Sequence, residues 1–309
     1  MAKPVKRHKP GAERSPFQPD VIREFEVKEG MPDRLLDFLF AVMPDKKRSA
    51  VKALLKYEQV KVGQTVTSKF DFGLNPGVVV YVNFSRQWQT LRHPRLKIFY
   101  EDDDVIVVYK GYGLLSVASD RKKEGTAYSI LRDYVKRLNP ANKLFIVHRL
   151  DQHTSGLMVF AKNEAAKDTL QHNWNNMVLE RTYMAIVEGK PSRQQGIIDS
   201  YLAENEQHIV YTTKDTQNGL RAVTRWKLIK SRGGYSLLEV SLDTGRKNQI
   251  RVHLKDMGHP IAGDKKYGAR TSPIHRLALH AATLRFVHPV TRRDMNFTAP
   301  APAAFDKLV

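Results

Sequence analysis

The sequence predicts an α+β protein: a mixed, largely antiparallel sheet with flanking helices, preceded by a small module of two short helices and short strands. Three observations lead there. Apolar runs with β-branched and aromatic bias recur from Leu96 to Val287, each the length of a buried strand. The helical patterns between them are few and irregularly placed, unlike the regular alternation of a parallel βαβ fold. The first third of the chain instead carries two adjacent helical patterns, and 309 residues are enough for a small and a large domain.

Charge narrows the function classes before any motif is read. Lys and Arg total 51 against 32 Asp and Glu, a formal charge of +19. Such an excess points to a polyanionic partner, nucleic acid before membrane, since no basic amphipathic helix stands out. No apolar run approaches the roughly 20 residues that span a bilayer, and the start has no apolar signal region. With no cysteine there is no disulfide, thiolate metal site or cysteine nucleophile. A cytoplasmic protein is expected.

In chain order, residues 1–20 read as a disordered basic arm able to touch phosphate nonspecifically. Apolar residues at 35, 36, 39, 40 and 43 predict a helix that Pro44 ends. A second helix follows, with Ser49 as its expected N-cap, Val51, Leu54 and Leu55 facing inward, and Lys47, Arg48 and Lys52 on its flanks. Val60–Val62 and Gly77–Val82 read as strands. Residues 21–84 thus form one module, and 85–97 a basic linker whose Trp88 either stacks on a base or packs. Leu96–Tyr100 and Val105–Tyr109 form a hairpin across a turn with three consecutive aspartates, Asp102 to Asp104. A solvated turn is the expectation there, with a metal site as the alternative.

Thr126 is the expected cap of a helix running to Arg137. Leu144–Val147 and Leu157–Ala161 are buried strands on either side of His148-Arg149-Leu150-Asp151-Gln152-His153-Thr154-Ser155-Gly156. Glu164–Asn175 reads as a helix, and Arg181–Glu188 as a strand carrying Tyr183. Strands follow at Ile197–Leu202, Ile209–Thr213, Ala222–Ile229 and Tyr235–Leu242. Thr244–Leu254 turns from a strand end into a helix that Gly258 closes. Leu277–Val287 is the last strand, before a short polar tail.

The polar segment 148–156 has two local readings. It is an ordinary turn in which Asp151 and Ser155 bond the backbone, or it presents reactive groups from a rigid scaffold. Its distant company decides. HRLDQHTSG at 148–156, ERTYMAIVEG at 180–189, TGRKNQIRVHL at 244–254, GHPIAGDKKYG at 258–268 and LALHA at 277–281 occur in that order. With these matches the chain resembles the RluA-type pseudouridine synthase family from about Leu96 to its end. Residues 21–84 resemble the αL RNA-binding module of a ribosomal small-subunit protein, through Arg34–Leu39, Lys47–Val51 and Val60–Val62. They depart from it where only Gly63 stands for the usual Asn-Gly, and at Val78 in place of an acid.

The resemblance implies a pseudouridine-synthase-like fold over residues 98–309 and a set of roles. Asp151 matches the catalytic aspartate, which either attacks the target uridine or takes a ribose proton. Tyr183 matches the tyrosine that stacks on the flipped base, and Arg251 the arginine that pairs with the aspartate. Arg149 matches the residue that fills the space left by the flipped nucleotide. Leu279 and Arg246 are the further expected substrate contacts, and Lys47, Arg48 and Lys52 the expected RNA contacts of the module. An arginine beside a carboxylate favours its ionised form, extruding a stacked uridine costs a few kcal/mol, and stacking on an aromatic ring returns roughly 1–3 kcal/mol.

The expected partner is RNA, ribosomal rather than transfer, bound by a monomer with no membrane contact. Isomerisation needs no redox partner, energy donor or metal, so no cofactor and no nucleotide-binding loop are expected. Two departures touch the site. His153 stands where most relatives have Asp, and Tyr109-Lys110-Gly111-Tyr112-Gly113 lacks the usual proline, which is expected to loosen that loop. The competing readings are a noncatalytic RNA-binding or ribosome-assembly protein on the same fold, and a two-carboxylate nuclease or glycosidase, for which the motifs offer no second acid.

Overall fold

The computed structural model describes residues 21–84, 88, 91–118 and 124–309. The basic arm expected at 1–20 and residues 85–87, 89 and 90 of the expected linker lie outside these. The chain divides into two compact units between Thr90 and Leu91.

The first unit holds β1 (Ile22–Glu26), α1 (Leu35–Val42), α2 (Arg48–Lys56), β2 (Val60–Val62), β3 (Thr65–Val66) and β4 (Val79–Asn83). Its sheet runs β1-β4-β2-β3, antiparallel throughout. Leu35, Phe38 and Leu39 of α1, Val51, Leu54 and Leu55 of α2, and Val60, Val80 and Val82 of the sheet close one core. Ser49 is not the N-cap of α2: the helix begins at Arg48, and Lys47 caps it without a side-chain bond. Lys47, Arg48 and Lys52 are exposed, with the Arg48 guanidinium 4.6 Å from the Phe40 ring centre. Trp88 packs within this unit, its indole N–H donating to Gln59 O at 3.0 Å and Lys61 lying 4.6 Å above the ring.

The second unit opens with Leu91, packed on its core, and the hairpin β5 (Leu96–Glu101) and β6 (Val105–Lys110). Then come α3 (Ala127–Leu138), β7 (Phe145–Ile146), β8 (Ser155–Ala161), α4 (Glu164–His172) and α5 (Trp174–Met177). The strands β9 (Val178–Glu188), β10 (Gln195–Glu204), β11 (Val210–Thr213), β12 (Leu220–Arg232) and β13 (Tyr235–Leu242) follow. The chain ends through α6 (Gln249–Asp256), β14 (Leu279–Val287), β15 (Asp294–Thr298) and α7 (Ala303–Asp306). Strand β15 and helix α7 stand where a polar tail was expected. Asn173, not a continuous helix to Asn175, separates α4 from α5.

The described strands of this unit form one eleven-stranded sheet in the order β11-β10-β12-β13-β9-β14-β8-β6-β5, with β15 beside β14 and β7 beside β8. Every pairing is antiparallel except β8 with β14, where Ser155 and Gly156 face His280 and Ala281. All seven residues of β8 are buried: Met158 and Phe160 join the core with Leu131 and Val135 of α3, while Leu157 and Val159 join Leu170 of α4 and Met177 of α5. Helices therefore cover both faces at this point, which is why β8 reads as a continuous apolar run. Thr126 caps α3 in a reciprocal box with Ser129: the threonine hydroxyl accepts from Ser129 N at 3.1 Å and the serine hydroxyl from Thr126 N at 2.9 Å.

The parallel contact fixes the geometry of the segment before it. Gly156 has φ +124, and a Cβ there would lie 2.1 Å from Ala281 O and 2.6 Å from Ala281 N. Only glycine lets the two backbones approach this closely.

The aspartate-rich turn between β5 and β6 is tied by hydrogen bonds. Asp102 accepts from the Tyr100 hydroxyl at 2.7 Å and from the amides of Asp104 and Val105, and lies 3.0 Å from His288 Nε2. Ligand atoms of Asp102, Asp104 and His288 fall within 4.8 Å of one another.

Candidate active site

The segment His148–Thr154 follows β7 and enters β8, an interior strand of the sheet, and its ends are anchored by side chains. The His148 ring accepts from Val159 N through Nε2 at 3.0 Å and packs on Trp174, ring centres 4.9 Å apart. Burial, then Arg181, brings the His148 pKa down to about 3, so the ring stays neutral and keeps its acceptor. At the other end Ser155 does not bond the local backbone. Its hydroxyl donates to His280 Nδ1 at 2.9 Å and accepts from Arg276 Nη2 at 2.7 Å.

Between these anchors the loop is fastened to residues 110–116. The Ser116 hydroxyl donates to Leu150 O at 2.6 Å and accepts from Leu150 N at 3.1 Å. Gly113 N donates to Gln152 O at 3.0 Å, and Gln152 Nε2 donates back to Gly113 O at 3.3 Å. Lys110, fully buried, donates from Nζ to Leu114 O at 2.8 Å and to Gln152 O at 3.2 Å. Burial draws its pKa down to about 7, against the pull of Asp151 and with the help of Arg276. Gly111 N donates to Arg95 O at 2.7 Å. Buried lysine and backbone bonds thus hold the loop that lacks the proline.

Helix α6 brings in the opposite wall. Gln249 wires its start: Oε1 accepts from Arg246 N and the Thr244 hydroxyl, and Nε2 donates to Val223 O and Thr224 Oγ1, at 2.8–2.9 Å. Asn248 sits in the left-handed region at φ 54, a conformation that Asn tolerates better than most residues. One turn on, Arg251 points back at the loop. Its Nη1 reaches Asp151 Oδ2 at 3.2 Å and Asn248 Oδ1 at 3.0 Å. Its Nε and Nη2 grip both oxygens of the buried Asp264 at 2.7 Å each, and its guanidinium lies 4.9 Å from the Tyr267 ring centre. Burial opposes the charge on Arg251, but the bonds and charge of Asp264, then Asp151, outweigh it and hold its pKa above the usual value.

Asp151 stands on the wall between two cavities. The first, of about 390 Å³, is lined by Asp151, Arg149, Tyr183, Arg181, Arg246, Arg251 and Leu279, among others. All six residues expected to carry the chemistry or touch substrate therefore meet at one hollow. Tyr183, on β9, is nine-tenths buried, and burial pushes its phenol pKa up, with Arg181 opposing and Asp151 adding. Lys47, Arg48 and Lys52 lie in the other unit.

Four site residues escaped the sequence reading. Asp264 and Tyr267 lie in GHPIAGDKKYG, Lys110 precedes the glycines of the Tyr109–Gly113 segment, and Arg181 stands two places before Tyr183. Arg181 sits in the cavity wall with its guanidinium 5.9 Å from the Trp174 ring centre and Nη2 donating to Leu242 O at 3.3 Å. Burial lowers its pKa, with Tyr183 and Asp243 opposing. The signal for Asp264, Tyr267 and Arg181 was their place inside the ordered matches, while Lys110 lies outside them.

Comparison with known proteins agrees with this geometry. A family described as RNA pseudouridylate synthase matches residues 104–256. An uncharacterized RNA pseudouridine synthase of Bacillus subtilis is 35% identical over 91% of this chain and 95% of its own. The ribosomal large subunit pseudouridine synthase D of Haemophilus influenzae is 31% identical over 94% and 95%. The solved structure of human RNA pseudouridylate synthase domain containing 4 superposes with a TM-score of 0.55 at 25% identity, over 68% of this chain and 90% of that one. On fold, ordered motifs and kinship together, the chain belongs to the RluA-type RNA pseudouridine synthases, isomerases that convert uridine to pseudouridine in RNA.

Proposed function

We propose that this enzyme acts on ribosomal RNA, with Asp151 as its working carboxylate. The observation that carries the reading is the arginine at the cavity wall: Arg251 touches Asp151 while gripping Asp264, which fixes a charged carboxylate at the mouth of a hollow lined by Tyr183 and Leu279. The ribosomal substrate is supported by the relatives named ribosomal large subunit pseudouridine synthase D. Among the described residues no helix is long and apolar enough to cross a membrane, and we take the protein to work in the cytoplasm as a monomer.

The target uridine is extruded from its stack into the cavity. Tyr183 stacks on the uracil and Leu279 packs against it, while Arg149 fills the space the nucleotide leaves and Arg246 holds the strand at the rim. The glycosidic bond between N1 and the ribose breaks, uracil rotates, and a bond forms from ribose to carbon five. The proton displaced from carbon five leaves and N1 gains one, so the mass is unchanged. Asp151 serves either as nucleophile or as the base that takes a ribose proton. In the first unit, Lys47, Arg48 and Lys52 contact phosphate. Pseudouridine mapping of ribosomal RNA from cells lacking the gene tests the substrate: one or a few positions should lose the modification and regain it with the wild-type gene. An unchanged ribosomal map overturns the ribosomal assignment.

A further inference from the structure

Beyond Asp151 lies a second cavity, of about 780 Å³, whose wall shares Arg149, Asp151, Asn248 and Arg251 with the first. Its charge is lopsided. Six Lys and Arg line it against two acids, Asp151 and Asp264, and both acids are already committed to Arg251. Lys265 and Lys266 are exposed at its edge.

One wall of this cavity is a column of flat groups. The Arg276 guanidinium lies 4.8 Å from the Tyr112 ring centre, and the Tyr112 ring lies 5.3 Å from that of His153 at 38°. The column is anchored at its inner end, where Arg276 donates to Ser155 Oγ at 2.7 Å and to Leu277 O at 3.1 Å. Its outer end, His153, is exposed. Burial, then Arg251 and Lys110, lowers the His153 pKa, so at pH 7 the ring is neutral and offers a π face without competing for anions. A pre-set aromatic surface beside lysines that have no carboxylate partner among the described residues, Lys265 and Lys266 (the latter donating only to His208 O at 2.8 Å), is what a single-stranded nucleotide needs: one group for the base, another for the phosphate.

We propose that this second cavity holds the nucleotide next to the target uridine, its base stacked on His153 at the end of the Arg276–Tyr112–His153 column and its phosphate against Lys265 and Lys266. The proposal rests on the reading that the first cavity takes the uridine. It gives a task to the two places where the motifs depart from their relatives: the Tyr112 loop and His153. A stacking surface accepts any base, with preference set by stacking strength, so the subsite would favour a purine neighbour.

The test uses the full chain and heptauridylate carrying one 2-aminopurine at each position in turn, titrated by fluorescence. The expected result is strong quenching at one position with wild type. His153→Ala should remove that quenching and weaken binding about tenfold, the order expected for one lost base-stacking contact, and His153→Phe should restore both. Quenching that survives His153→Ala, or no quenching at any position, overturns the proposal. Pseudouridine formed from ribosomal RNA by the same preparation is scored separately, so failure of the isomerase reading shows as absent product, and failure of the subsite as unchanged quenching.

Discussion

Arg251 and Asp264 form a two-pronged ion pair, both bonds at 2.7 Å, while the same guanidinium reaches Asp151 with a single bond at 3.2 Å. The arginine is therefore oriented by Asp264 and only lent to Asp151. The proposed catalysis by Asp151 makes Asp264 a positioning residue. Asp264→Asn keeps the shape but removes one charge from the grip, letting the guanidinium swing. Isomerisation should fall about a hundredfold, the order expected for a roughly 1 Å misplacement, with RNA affinity nearly unchanged. Single-turnover kinetics and a filter-binding titration check this, and equal losses in both would contradict it.

Gly156 is, with Gly263, one of the two tightest backbone approaches near the site. Gly156→Ala must push Ala281 away from a Cβ 2.1 Å from its carbonyl oxygen, breaking the parallel contact that sets the loop. The variant should be insoluble or lose more than roughly 3 kcal/mol, in the range of severe backbone and overpacking changes. Gly63→Ala, at φ +54 with no atom within 4 Å of the added group, should cost far less. Urea melts of the two variants provide the comparison.

Three histidines, His253 and His280 buried and His148 half-buried, predict acid sensitivity. Burial leads the lowering of each pKa, to about 3 for His148 and about 4 for His253 and His280. In the unfolded chain each titrates near its ordinary value of 6.5. Between these values the unfolded chain binds more protons than the folded one, so stability is full above pH 6.5 and falls as the pH drops toward 4. The slope is about 1.4 kcal/mol per pH unit for each histidine. Urea melts from pH 7.5 to 5 should show the decline, and His280→Asn should have a shallower one.

The basic flank of α2 predicts a salt signature. If Lys47, Arg48 and Lys52 each neutralise a phosphate, changing all three to Gln should reduce the slope of log Kd against log salt by about 2–3. The isomerisation rate at saturating RNA should change much less. An unaltered slope would remove these residues from the RNA contact.

The fold and the centre of the site were legible for different reasons. Strands such as β8 announce themselves because both faces are buried and the run is uniformly apolar. Strands β1 and β3 were missed, since β1 is mostly exposed and β3 has two residues, leaving no apolar pattern. Ser49 misled as a cap because a good capping residue two positions late looks the same in sequence as one in place. The gathering of Asp151, Tyr183 and Arg251 at one cavity was legible through their ordered motifs. Asp264 and Lys110 were not, because their partners lie 13 and 42 residues away and a buried charge reads in sequence like an exposed one.

The most direct test measures pseudouridine by nucleoside chromatography and mass spectrometry after incubating ribosomal RNA from the gene-deleted strain with wild-type protein or Asp151→Ala. The account predicts mass-neutral conversion of uridine by the wild type, and a loss of at least about a thousandfold in the variant, as expected for removing a nucleophile or base. Identical pseudouridine maps from the two proteins would contradict it.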